Sequence, residues 1–104
     1  MTFDEYQKKV TTTGYYPKEI ELAYLGLGMG EAGEIQNEIK KIYRDEKGKL
    51  TPKRAVKIVD EMSDLLWYLA NMAEAIGWSL DTIARYNVKK ILKKYKDHKR
   101  GIDY

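Results

Sequence analysis

The sequence predicts an all-α protein, a four-helix up-and-down bundle, and three observations predict it. No run alternates apolar and polar residues with period two, so no strand is expected. Apolar residues recur instead at helical spacing, and helix-start signals precede the segments that carry them. At 104 residues and 12.1 kDa the chain suits one domain built on one core.

Each element follows from local chemistry. Thr2-Phe3-Asp4-Glu5 reads as a capping box, with Thr2 as N-cap and Glu5 at N3, and it opens a short helix that Thr11 to Thr13 and Gly14 end. Pro17 starts a second, long helix to about Asp45, with Ile20, Tyr24, Leu27, Ile35, Ile39 and Ile42 at spacings of three, four or eight. Within it stand Gly26, Gly28, Gly30 and Gly33, each costing roughly 1 kcal/mol against alanine in a helix interior. They mark close approach by another helix or a ligand, or else a break near Gly26 to Gly30. Glu46-Lys47-Gly48-Lys49 forms the turn. Thr51 and Pro52 supply an N-cap and a proline at N1 for the third helix, whose stripe runs from Ala55, Ile58 and Val59 through Met62, Leu65, Leu66 and Leu69 to Met72 and Ile76. Gly77 stops it. Ser79 caps the fourth helix, which carries Ile83, Val88, Ile91 and Leu92. With no internal repeat, residues 1–104 form one domain, of which 95–104 are a basic tail.

Composition narrows the chemistry. Hydrophobic residues make up 43% and charged residues 34%, which allows folding but leaves a modest core and favours association with further copies. The absence of cysteine excludes disulfides, thiolate catalysis and cysteine-ligated metals. The single histidine, His98, lies in the lysine-rich tail, so a catalytic triad or a histidine-built metal site is hard to assemble. Any metal must be held by oxygen, and hard cations are expected. No uncharged stretch exceeds the nine residues of Leu22 to Gly30, and Met1-Thr2-Phe3-Asp4-Glu5 lacks the features of a leader. A cytoplasmic protein without membrane contact is expected. The net charge of +3 is uneven: residues 85–104 carry +6 and the rest −3. An acidic body with a basic C-terminal helix suits an anionic partner such as phosphate, nucleotide or nucleic acid.

The acidic residues form a pattern. Glu31, Glu34 and Glu38 share one helix face, and Glu61 and Asp64 repeat the device on the third helix beside Asp60. Glu61 and Asp64 lie between Ile58, Met62 and Leu65, where burial of like charges is costly without a cation. Counted from a turn near residue 48, Glu34 lies about 14 residues back and Glu61 to Asp64 about 12 to 16 forward, so the two pairs should meet at one height. Four carboxylates without histidine describe an oxygen-only site for one or two Mg²⁺ or Mn²⁺ ions. Glu38 suits an intrahelical pair with Lys41 as well as ligation and stands outside the set. Trp67, Tyr68 and Trp78 are expected in the core or a subunit interface, with Tyr15 and Tyr16 as weaker candidates for stacking on a base.

Gly30-Glu31-Ala32-Gly33-Glu34, followed 27 residues after Glu34 by Glu61-Met62-Ser63-Asp64, resembles the MazG-like, all-α nucleoside triphosphate pyrophosphohydrolase superfamily, with its E-E-x-x-E and E-x-x-D motifs. Asn87-Val88-Lys89-Lys90 and Lys94-Tyr95 are similar to that family's later basic pattern. The resemblance implies an oligomeric bundle of that type and Mg²⁺ ligation by Glu31, Glu34, Glu61 and Asp64. It also implies hydrolysis of a nucleoside triphosphate between the α and β phosphates. Gly30 stands where the motif has its leading glutamate, and Lys94 where arginine is often found. A general base must then be sought in Glu31 or Glu34, or a metal-bound hydroxide needs little help. Asn87, Lys90 and Lys94, on one face of the fourth helix, are the candidates for binding the triphosphate. A homodimer or homotetramer is expected, and nucleic acid is not expected as a partner. The rival is a non-enzymatic nucleic-acid or protein-interaction module using the basic C-terminal helix. A di-iron protein is disfavoured by the lack of an E-x-x-H pair.

Overall fold

The computed structural model describes residues 1–96, and every regular element among them is helical. Five α-helices follow in order: α1 (Phe3–Val10), α2 (Glu21–Gly28), α3 (Ala32–Asp45), α4 (Pro52–Ala75) and α5 (Leu80–Lys94). Three short 3₁₀ turns, Thr11–Thr13, Lys18–Ile20 and Met29–Glu31, link the first of these. All-α is therefore right, but the expected second helix is two helices. The chain breaks at Met29–Glu31, inside the glycine cluster, where four glycines in eight residues leave little to hold one straight rod. Pro17 is the residue before a 3₁₀ turn, and α2 proper begins at Glu21.

The start signals act as read. Thr2 accepts from the backbone N–H of Glu5, and the Glu5 carboxylate accepts from the N–H of Thr2. The Thr51 hydroxyl accepts from the N–H of Arg54, and Ser79 accepts from that of Thr82. Each satisfies a donor that a helix start leaves orphaned.

The 24-residue α4 is the spine, about 36 Å long. Along it pack α2, α3 and α1, with α5 touching only α1 and α4. The α3–α4 turn places Lys47 at φ 55° and Gly48 at φ 78°, and the Gly48 N–H donates back to the Ile42 carbonyl at 3.1 Å. Arg54 clamps this hairpin: Nη1 donates to Glu38 at 2.6 Å, while Nε and Nη2 donate to Glu46 at 3.1 and 2.8 Å.

Gln7 ties the other end together. Buried on α1, its amide nitrogen donates to Glu74 and to the Trp78 carbonyl, and its amide oxygen accepts from the Leu80 N–H at 2.6 Å. Nothing in the sequence marks Gln7, since a glutamine on a short polar helix ordinarily faces water.

The core is small: Leu25, Ile42, Ala70, Ala73 and Leu80 are its buried apolar residues. Much of the predicted stripe on α4 faces outward, with Val59, Met62 and Leu69 exposed, as are Ile83, Val88, Ile91 and Leu92 on α5. The radius of gyration is 16.7 Å, against about 13 Å for a compact chain of this length. No described helix is long and apolar enough to cross a membrane.

Candidate metal and substrate site

The helix break positions the first acidic pair. Glu31 closes the 3₁₀ turn and Glu34 lies in the first turn of α3, whose N-terminal end carries positive dipole. The second pair, Glu61 and Asp64, sits in mid-α4. The hairpin brings the two pairs into one electrostatic neighbourhood. Glu61, half-buried, has its carboxyl raised above the usual glutamate value by desolvation first, and then by the charges of Asp64, Glu34, Asp60 and Glu31.

Among the described residues no basic group answers these charges. Glu31, Glu34, Glu61 and Asp64 make no hydrogen bond and no ion pair, whereas Glu21, Glu38, Asp45, Glu46 and Asp81 are each paired with Lys or Arg. Glu38 sits between Lys41 at 3.4 Å and Arg54 at 2.6 Å, and the Arg54 hydrogen bond holds its carboxyl below the usual value. Its exclusion from the acidic set has a structural reason in Arg54.

The expected burial of Glu61 and Asp64 holds only for the first and only in part, since Asp64, like Glu31 and Glu34, is exposed. Among the described residues no three His, Cys, Asp or Glu side chains stand in a metal-holding arrangement. The four carboxylates are thus neighbours without being a closed cage. As donors they fit a hard divalent cation: all are oxygen ligands, none is engaged with a described basic residue, and a cation would offset the repulsion among them.

Beside them a cavity of about 360 Å³ is lined by Glu31, Asp64, Trp67 and Tyr68. Trp67 and Tyr68 follow Asp64 by three and four residues and so share its face. That spacing was the available signal. Expected in the core or a subunit interface, both are half-buried and wall the cavity, edge to face with ring centres 5.1 Å apart. Trp67 Nε1–H donates to Thr13 Oγ1 at 2.9 Å, and the Tyr68 phenol is raised by desolvation and by Tyr24, Glu31 and Asp64. Tyr16 is no free stacking platform, because it already stacks on Tyr24, and Tyr15 projects into solvent. Trp78 borders a separate groove with Gln7 and Glu74, toward the other end of α4.

Asn87, Lys90 and Lys94 are not brought to this cavity within one chain. All three are exposed on α5, and neither a hydrogen bond nor an ion pair joins them to the carboxylates. Lys94 lies over the Tyr95 ring at 5.2 Å. His98, Lys99 and Arg100 lie outside the described residues, as does most of the expected basic tail.

A family model described as the MazG nucleotide pyrophosphohydrolase domain matches residues 21–98. The "Gene 37 protein" of Mycobacterium phage L5 is 38% identical over 98 residues, covering 88% of this chain and 86% of that relative. No solved structure matches the chain.

Proposed function

The chain belongs to the MazG nucleotide pyrophosphohydrolase domain family, and from that membership we propose that it is a Mg²⁺-dependent nucleoside triphosphate pyrophosphohydrolase. It cleaves between the α and β phosphates and yields the monophosphate and pyrophosphate. The observation that carries the proposal is the group of carboxylates Glu61, Asp64, Glu34 and Glu31, which come from both arms of one hairpin and have no basic partner among the described residues.

Glu31, Glu34, Glu61 and Asp64 would hold the Mg²⁺, with Mn²⁺ as an alternative. When bound, the ion neutralises triphosphate oxygens and eases deprotonation of water. Gly30 has no side chain to act as base, so Glu31 or Glu34 takes the proton of the attacking water. The phosphates would sit against the carboxylate end of the cavity, beside the Trp67–Tyr68 wall.

We further propose a homodimer or homotetramer in which α5 of a second copy brings Asn87, Lys90 and Lys94 to the triphosphate. Two features support it: α5 leans on α1 and α4 alone, and the exposed apolar residues of α4 and α5 have no cover within the chain.

The test is a panel of ribo- and deoxynucleoside triphosphates incubated with protein and Mg²⁺, with products separated. Pyrophosphate and monophosphate are expected. Orthophosphate with diphosphate, or no product from any nucleotide, would reject the reading.

A further inference from the structure

Of the four residues lining the cavity, Glu31 and Asp64 offer only acceptors, and the Trp67 indole N–H is already given to Thr13. The Tyr68 phenol makes no hydrogen bond with any described residue. It is therefore the one side-chain donor this wall can offer to an anionic ligand. Its place is fixed by a contact that only glycine permits: a Cβ at Gly28, the last residue of α2, would collide with Cε1, Cζ and Cδ1 of the Tyr68 ring. Gly30 and Gly33 show no such neighbour, and Gly26 meets only Met72 at an ordinary 3.9 Å. The close approach that the glycine cluster suggests is thus realised at Gly28, between α2 and the aromatic wall.

Resting on the reading of this cavity as the triphosphate site, we infer that Tyr68 is a substrate-contacting residue whose phenol donates to an anionic phosphate oxygen, and that Gly28 is a positioning residue acting through the Tyr68 ring. Carboxylates alone repel phosphate, so a protonated hydroxyl at the rim supplies attraction without drawing an ion away from the acids. The ring is flanked on two sides, by the Gly28 backbone and by Trp67, on the wall of the cavity that Glu31 and Asp64 also line.

The experiment is calorimetric titration of inorganic tripolyphosphate with Mg²⁺ into the intact protein, in parallel with pyrophosphate release from nucleotides. Tyr68→Phe keeps the ring and removes the hydroxyl. It is expected to weaken tripolyphosphate binding roughly tenfold to a hundredfold with an unchanged melting temperature. Unchanged affinity, or a wild type that binds no tripolyphosphate, would overturn the donor role. Gly28→Ala is expected to weaken binding in the wild-type background and to add almost nothing in the Tyr68→Phe background, a non-additivity that general loosening would not give. Equal losses in both backgrounds would overturn the role of Gly28. If Gly28→Ala does not fold, Tyr68→Ala must rescue it by removing the ring, and failure of that rescue is the contrary result. Wild type that binds tripolyphosphate through Tyr68 yet hydrolyses no nucleotide would reject the pyrophosphohydrolase reading and leave this assignment intact. Hydrolysis with an indifferent Tyr68→Phe would do the reverse.

Discussion

Glu61 and Glu38 are glutamates on opposite arms of the same hairpin, and their surroundings drive them in opposite directions. Desolvation and four acidic neighbours raise Glu61, while the Arg54 hydrogen bond lowers Glu38. A carboxyl lowered in the folded state stabilises above its unfolded value, about 4.5 here, and that contribution is lost as pH falls through the folded value. Arg54→Met removes it and leaves Glu38 and Glu46 without their shared partner. Melting curves at neutral pH should show the variant several degrees below wild type, with the gap narrowing in acid. A gap independent of pH would contradict the assignment. At the proposed reaction centre, Glu61→Gln and Asp64→Asn should each lower turnover at least about a hundredfold while circular dichroism stays helical. Wild-type turnover in both variants would show that these acids do not serve the reaction.

Helix boundaries were legible wherever a side chain signals them to the backbone. Thr2, Thr51 and Ser79 each cap the helix they were expected to cap, and Gly48 and Gly77 adopt positive φ at the expected turns. Thr51→Ala should accordingly cost about 1 kcal/mol in a denaturant titration. The division of Pro17 to Asp45 into α2 and α3 was less legible, because glycine permits a break without requiring one. The break bears on the proposed site: it sets Glu31 at the end of the 3₁₀ turn and Glu34 on the first turn of α3, where both charges act on Glu61 of α4. The acidic residues could be read from spacing alone. Their companions could not: Arg54 declares itself only through Glu38 and Glu46, brought near by the turn, and Tyr68 only through the glycine against which it rests.

The whole molecule is open for its length, with its basic helix held away from its acidic cavity. The charge asymmetry is legible in the sequence, with +6 on residues 85–104 against −3 on the rest. The proposed oligomer would cover the apolar faces of α4 and α5 and carry lysines to the proposed triphosphate site. Sedimentation should give a multiple of 12.1 kDa, and a monomer at micromolar concentration would contradict the assembly. Lys90→Ala should raise KM about tenfold with little change in kcat, while unchanged constants would return Lys90 to the solvated face.

The proposed cation site draws on both arms of the α3–α4 hairpin, and Mn²⁺ binding measures that directly through the paramagnetic resonance signal of the free ion. Wild type should take up Mn²⁺, and Glu31→Gln on one arm and Glu61→Gln on the other should each abolish most of that uptake. Uptake unaffected by either substitution would contradict the shared site.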